Sequence, residues 1–68
     1  MINYSNRRLL EICEDYIHSE RDRKIFYRKF ADDITLERLA EEFELSVSQV
    51  KRIIKKHYFE VFRHFEDK

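Results

Sequence analysis

The 68-residue chain has no glycine, no proline and no tryptophan, and only one cysteine. Without glycine or proline the usual helix breakers are missing, so connections must be short and built from Ser, Thr, Asp and Asn. A single cysteine excludes an internal disulfide. Cys13 lies between Ile12 and Glu14 on an apolar helix face and reads as a buried free thiol. No apolar run is long enough to span a bilayer and no signal-peptide pattern opens the chain, so a cytoplasmic protein without membrane contact is expected. Metal-ligand spacing is lacking as well. His57 and His64 are seven residues apart, Cys13 and His18 are five apart, and neither CxxC nor HxxxH occurs. A Gly-rich phosphate loop is ruled out, and the cluster Glu37, Glu41, Glu42 and Glu44 reads as a solvated helix face. No enzyme, metal or cofactor is indicated.

Present in quantity are apolar side chains and charge. Hydrophobic residues make up 43% of the chain, with six Phe and four Tyr, and charged residues another 41%. This length allows one domain, residues 1–68, with a modest stability margin. An all-α domain of four helices is expected, at about 6–18, 20–31, 36–43 and 47–65. Leu9, Ile12, Cys13, Tyr16 and Ile17 form the apolar stripe of the first helix. Ser19 caps the second, with Asp22 in a capping-box-like position, and Ile25, Phe26 and Phe30 are its buried face. Asp32 and Asp33 supply a turn, Thr35 caps the third helix, and Ser46 caps the fourth. On the long fourth helix Val47, Val50, Ile54, Tyr58, Val61 and Phe65 recur with a period near 3.6.

Residues 34–56 are the most informative stretch. Leu39, Phe43, Leu45, Val50 and Ile53 sit where a helix-turn-helix needs apolar contacts, and Ala40 sits where the two helices come closest. The linking residue is Glu44, at a position that favours glycine, and a left-handed backbone there would cost roughly 1 kcal/mol. The formal net charge is zero, which alone disfavours nucleic acid, but the charge is segregated by element. Residues 20–31 carry five cations against two acids for a balance of +3, and residues 32–44 one cation against six acids for −5. Residues 45–59 carry Lys51, Arg52, Lys55 and Lys56 with no acid, a balance of +4. Segregation of this kind provides a one-sided binding surface.

From Ser19 onward, over roughly two-thirds of the chain, the sequence resembles the fourth conserved region of bacterial sigma factors and the small phage and mobile-element regulators built on it. Three stretches carry the resemblance: Glu20-Arg21-Asp22-Arg23-Lys24-Ile25-Phe26, then Ile34 through Phe43, then Leu45-Ser46-Val47-Ser48-Gln49-Val50-Lys51-Arg52-Ile53. The resemblance implies a supporting helix, a positioning helix and a recognition helix that enters the major groove at a promoter element, with RNA polymerase as a second partner. Val47 and Ser48 stand where the family often has Arg and Glu, so a target sequence is not inherited. Met1 suggests a whole chain. No counterpart of the family's second conserved region precedes the motif, so promoter melting is not expected.

Double-stranded DNA is the leading expected partner. Base edges would be read by Ser46, Val47, Ser48, Gln49 and Arg52, with Arg52 suited to guanine, Gln49 to adenine and Val47 to a thymine methyl. Phosphates would be met by Thr35, Arg38, Lys51, Lys55, Lys56 and Arg28. The bland alternative for these lysines is a solvated face. Tyr58, Phe59, Phe62 and Phe65 exceed what one helix usually buries on one side. They are either thick core packing, or a homodimer interface or docking patch for polymerase. A protein-binding module of the same fold is therefore the alternative to a DNA-binding regulator.

Overall fold

The described residues of the computed structural model run from 6 to 66, with side-chain surroundings defined through residue 64. They form four helices and no strand: α1 (Asn6–Tyr16), α2 (Glu20–Ala31), α3 (Leu36–Phe43) and α4 (Val47–Glu66). This is the expected all-α helix-turn-helix architecture, with one difference at the end of α1. That helix stops at Tyr16 and not at His18. The Ile17 amide still donates to the Cys13 carbonyl at 2.9 Å, but the Ile17 carbonyl is taken by Arg23 Nη1 at 3.0 Å. A guanidinium from α2 thus satisfies a helix-end acceptor that would otherwise lack a partner.

The other boundaries follow from caps. Ser19 Oγ accepts from the Asp22 amide at 3.3 Å, and Thr35 Oγ1 accepts from the Arg38 amide at 3.2 Å. Ser46 and Gln49 form a reciprocal capping box. Ser46 Oγ accepts from the Gln49 amide at 3.1 Å, while Gln49 Oε1 accepts from the Ser46 amide at 2.9 Å. Between α3 and α4, Glu44 adopts the left-handed conformation (φ 57°, ψ 45°), as the position demands. The Leu45 amide then reaches back to the Ala40 carbonyl at 2.8 Å and closes the end of α3. Asp33 is also left-handed (φ 55°), which a short polar side chain tolerates better than Glu does.

The core divides into two clusters joined by α4. The first holds Leu9, Ile12, Cys13 and Ile17 of the α1 segment against Phe26, Val61 and Phe62. The second is the helix-turn-helix interior: Ile25, Leu39, Ala40, Val50 and Ile53, with Phe43, Leu45 and Val47 packed at its edge. Ile54 borders both. Ala40 is 6% exposed, and its small side chain lets α3 and α4 approach each other. Full burial of a Leu, Ile or Phe stabilises by about 1.5–3 kcal/mol. These few side chains therefore carry most of the favourable free energy of so small a domain.

The stripe expected on α4 needs correction in its second half. Phe62 is buried, in keeping with the core-packing alternative, but Tyr58, which lies on the period near 3.6 from Val47, is 46% exposed. The reason is an aromatic cluster supplied by α2. Phe62 packs on Phe30 edge-on at 5.1 Å between ring centroids and on Phe26 at 6.0 Å, and Tyr58 leans on Phe62 from outside at 4.8 Å. Tyr16, expected in the α1 stripe, is likewise 38% exposed and stacks on His64, with centroids 3.8 Å apart and planes 9° apart. Cys13 is fully buried, and burial pushes its thiol up to about 11.

Candidate nucleic-acid interface

Helix α4 begins at the Ser46–Gln49 capping box and projects its charged residues outward while Val50 and Ile53 face the core. Ser48, Lys51, Arg52, Lys55 and Lys56 are exposed. None of these four cations makes an ion pair among the described residues. Ser48, Lys51, Arg52 and Lys55 line one groove of about 670 Å³, whose apolar floor includes Leu36, Ile54, Tyr58 and Phe59. Arg52 also borders a smaller hollow of about 130 Å³ with Arg21, Leu45 and Gln49. The expected base-reading residues thus share the first turns of one helix. Ser46 and Val47 sit at its very start, Val47 partly buried.

The expected phosphate contacts do not all gather there. Thr35, Arg38 and Arg28 line a separate hollow of mixed charge that also contains Asp33, Glu41 and Glu42. Arg28 is committed within the protein. Its Nη1 is hydrogen-bonded to Glu42 on α3, and its Nε lies 3.5 Å from Asp32. Arg38 stays exposed without an ion pair among the described residues. Gln49 is partly committed as well, because its Oε1 holds the cap of α4.

Sequence reasoning missed a polar contact that ties α2 to the back of α4. Asp22 of α2 is 5% exposed, and its Oδ2 lies 3.2 Å from His57 Nε2 on α4. Its Oδ1 accepts from Arg21 Nε and Nη2 at 3.3 and 3.2 Å. Burial alone would raise the Asp22 pKa, but the hydrogen bonds from His57 and Arg21 outweigh it and hold the carboxyl below its ordinary 3.8. Asp22 and His57 are 35 positions apart, so spacing gave no signal; only the unusual charge at a core-facing position of α2 did. A second missed residue is Lys29, which reaches the same groove as Lys51 and Lys55.

The segment that holds this helix pair, residues 19–56, is matched by the family model for Sigma-70, region 4. The match covers more than half of the chain. The protein belongs to the sigma-70 region 4 family. That family is a DNA-binding helix-turn-helix region whose members also bind RNA polymerase, which supports a DNA-binding regulatory role in general terms. No curated protein and no solved structure matches the chain significantly.

In this region 4 chain the matched segment comprises α2, α3 and the first half of α4. Helix α1 and the aromatic half of α4 lie outside the match and form most of the first core cluster. Of the four aromatics considered for a homodimer interface, Phe62 is interior to the chain, Tyr58 is half-exposed and Phe59 is 73% exposed. The side chain of Phe65 lies outside the described residues. Among the described residues no helix is long and apolar enough to cross a membrane, and no cluster of His, Cys, Asp or Glu has metal-holding geometry.

Proposed function

We propose that the chain is a DNA-binding transcriptional regulator that reads the major groove with residues 47–57 of α4. The observation that carries this reading is the run of exposed cations Lys51, Arg52, Lys55 and Lys56 on α4, none of them neutralised by an ion pair among the described residues. A solvated face is usually dotted with acids that offset its cations, and residues 45–59 carry none. In this reading Arg52 meets guanine O6 and N7, Ser46 and Ser48 donate or accept at base edges, and Val47 meets a thymine methyl. Gln49 can offer Nε2 to a purine N7 while Oε1 keeps the cap. Its full bidentate pairing with adenine requires the capping box to open. Lys51, Lys55 and Lys56, with Thr35 and Arg38 at the start of α3, hold the phosphates.

One observation favours a second reading, a module that docks on RNA polymerase or another protein without binding DNA. Phe59 stands almost free in solvent beside a half-exposed Tyr58, and base reading does not require either. Salt dependence separates the two readings. A titration of a random-sequence duplex pool, followed by fluorescence anisotropy at low and moderate salt, is expected to show steeply salt-sensitive binding, lost in the double variant Arg52→Ala, Lys55→Ala. Absence of wild-type binding at low salt sinks the DNA reading and transfers the function to the Phe59 end.

A further inference from the structure

We propose that the groove between the end of α2, the start of α3 and α4 is a seat for DNA backbone phosphates, and that Lys29 is the contact contributed by α2, in place of its neighbour Arg28. The inference rests on the DNA reading above and specifies how the backbone is held. Lys29, Lys51, Arg52 and Lys55 ring this groove, and no acidic side chain lines it. Lys29, like the other three, has no ion-pair partner among the described residues.

Arg28 differs in every respect that matters to an anion. It lies between Glu42 and Asp32, two carboxylates that leave its surroundings net negative. A phosphate approaching Arg28 would meet both acids at short range, and like charges there are costly. The adjacent Lys29 lines a different hollow, whose only charged side chains are cations. The groove floor adds to the effect. Leu36, Ile54 and Phe59 present apolar surface, which lowers the local dielectric and strengthens each lysine's attraction for a phosphate. The same surface suits the apolar faces of deoxyribose between phosphates. This gives the exposed Phe59 ring a place on the nucleic-acid side of the molecule.

The test compares the salt dependence of duplex binding in wild type, Lys29→Ala, Lys29→Arg and Arg28→Ala, using the random duplex pool, with helicity and melting checked by circular dichroism. Each phosphate neutralised contributes about 0.9 to the slope of log K against log salt. Lys29→Ala is expected to flatten the slope by about that amount, so that it loses ~3.5-fold less affinity than wild type over a fourfold rise in salt. Lys29→Arg should keep the wild-type slope, and Arg28→Ala should leave it unchanged. Equal slopes for wild type and Lys29→Ala, or a flattened slope for Arg28→Ala alone, overturn the assignment while leaving DNA binding in place. Failure of wild type to bind any duplex overturns both this inference and the reading beneath it. A Glu-rich amphipathic peptide that binds in a Lys29-dependent way, with the DNA slope unaltered, would assign the groove to a protein partner and also overturn the proposal.

Discussion

Replacing Asp22 by Ala removes the carboxylate that ties α2 to the back of α4. His57, whose side chain is 14% exposed, then loses its Nε2 partner in a mostly dry site. An unsatisfied polar group of that kind costs about 1–3 kcal/mol. Arg21 also loses its partner, but its side chain is 56% exposed, so water replaces the ion pair at a cost of about 0–1 kcal/mol. The expected loss at neutral pH is therefore about 1–4 kcal/mol, or about 4–30 °C in melting temperature for a domain of this size. The pH dependence supplies the sharper check. Because Asp22 is held below 3.8 in the folded state, its contribution is complete above that value and is lost as pH falls through the folded-state pKa. Urea denaturation followed by circular dichroism, repeated from neutral pH down to about pH 2, should show wild type losing its advantage over Asp22→Ala below about pH 4. Parallel curves across the acid range, or a neutral-pH difference under about 0.5 kcal/mol, would refute the reasoning.

Three further expectations concern the motif and the core. Glu44→Gly should stabilise the domain by up to about 1 kcal/mol, since glycine removes the left-handed penalty at φ 57°; an unchanged or lower urea midpoint counts against strain at this turn. Ala40→Leu should destabilise by about 1–3 kcal/mol by forcing α3 and α4 apart, and weaken duplex binding with it; a fold and affinity like wild type would mean that the crossing is not tight. Cys13 should react with a disulfide reagent only after denaturation, because it is buried and its thiol is pushed up to about 11; fast labelling of the native protein would contradict that burial.

Much of the fold was legible because local chemistry agreed with the global pattern. Ser19, Thr35 and Ser46 each precede an apolar period by the spacing a cap requires, and each caps. For Glu44 the motif left two outcomes, an altered turn or a tolerated left-handed strain, and the backbone takes the second. The features that escaped depend on side chains meeting over long sequence separations. The end of α1 is set by Arg23 reaching back to Ile17, which periodicity cannot encode. That Tyr58 is left half-exposed while Phe62 is buried follows from Phe26 and Phe30 on a different helix. Counting charges located the cationic face of α4, but whether a given cation is free depends on the fold. Arg28 and Lys29 are adjacent and identical in charge, and only one of them is neutralised.

Helix α4 is shared by both core clusters, and this fixes its rotational phase as well as its position. Twenty residues give a rod of about 30 Å, which spans most of the 35 Å long dimension of the molecule. Val61 and Phe62 clamp one end of the rod against α1 and α2, while Val50 and Ile53 clamp the other against α3. One residue inserted near His57 would turn one half about 100° relative to the other, so the two clamps could not both close on a continuous helix. Side chains on the exposed face can therefore change without disturbing either clamp, whereas the spacing between Val50 and Val61 cannot. The outward face of α4 is open to point substitution and closed to insertion.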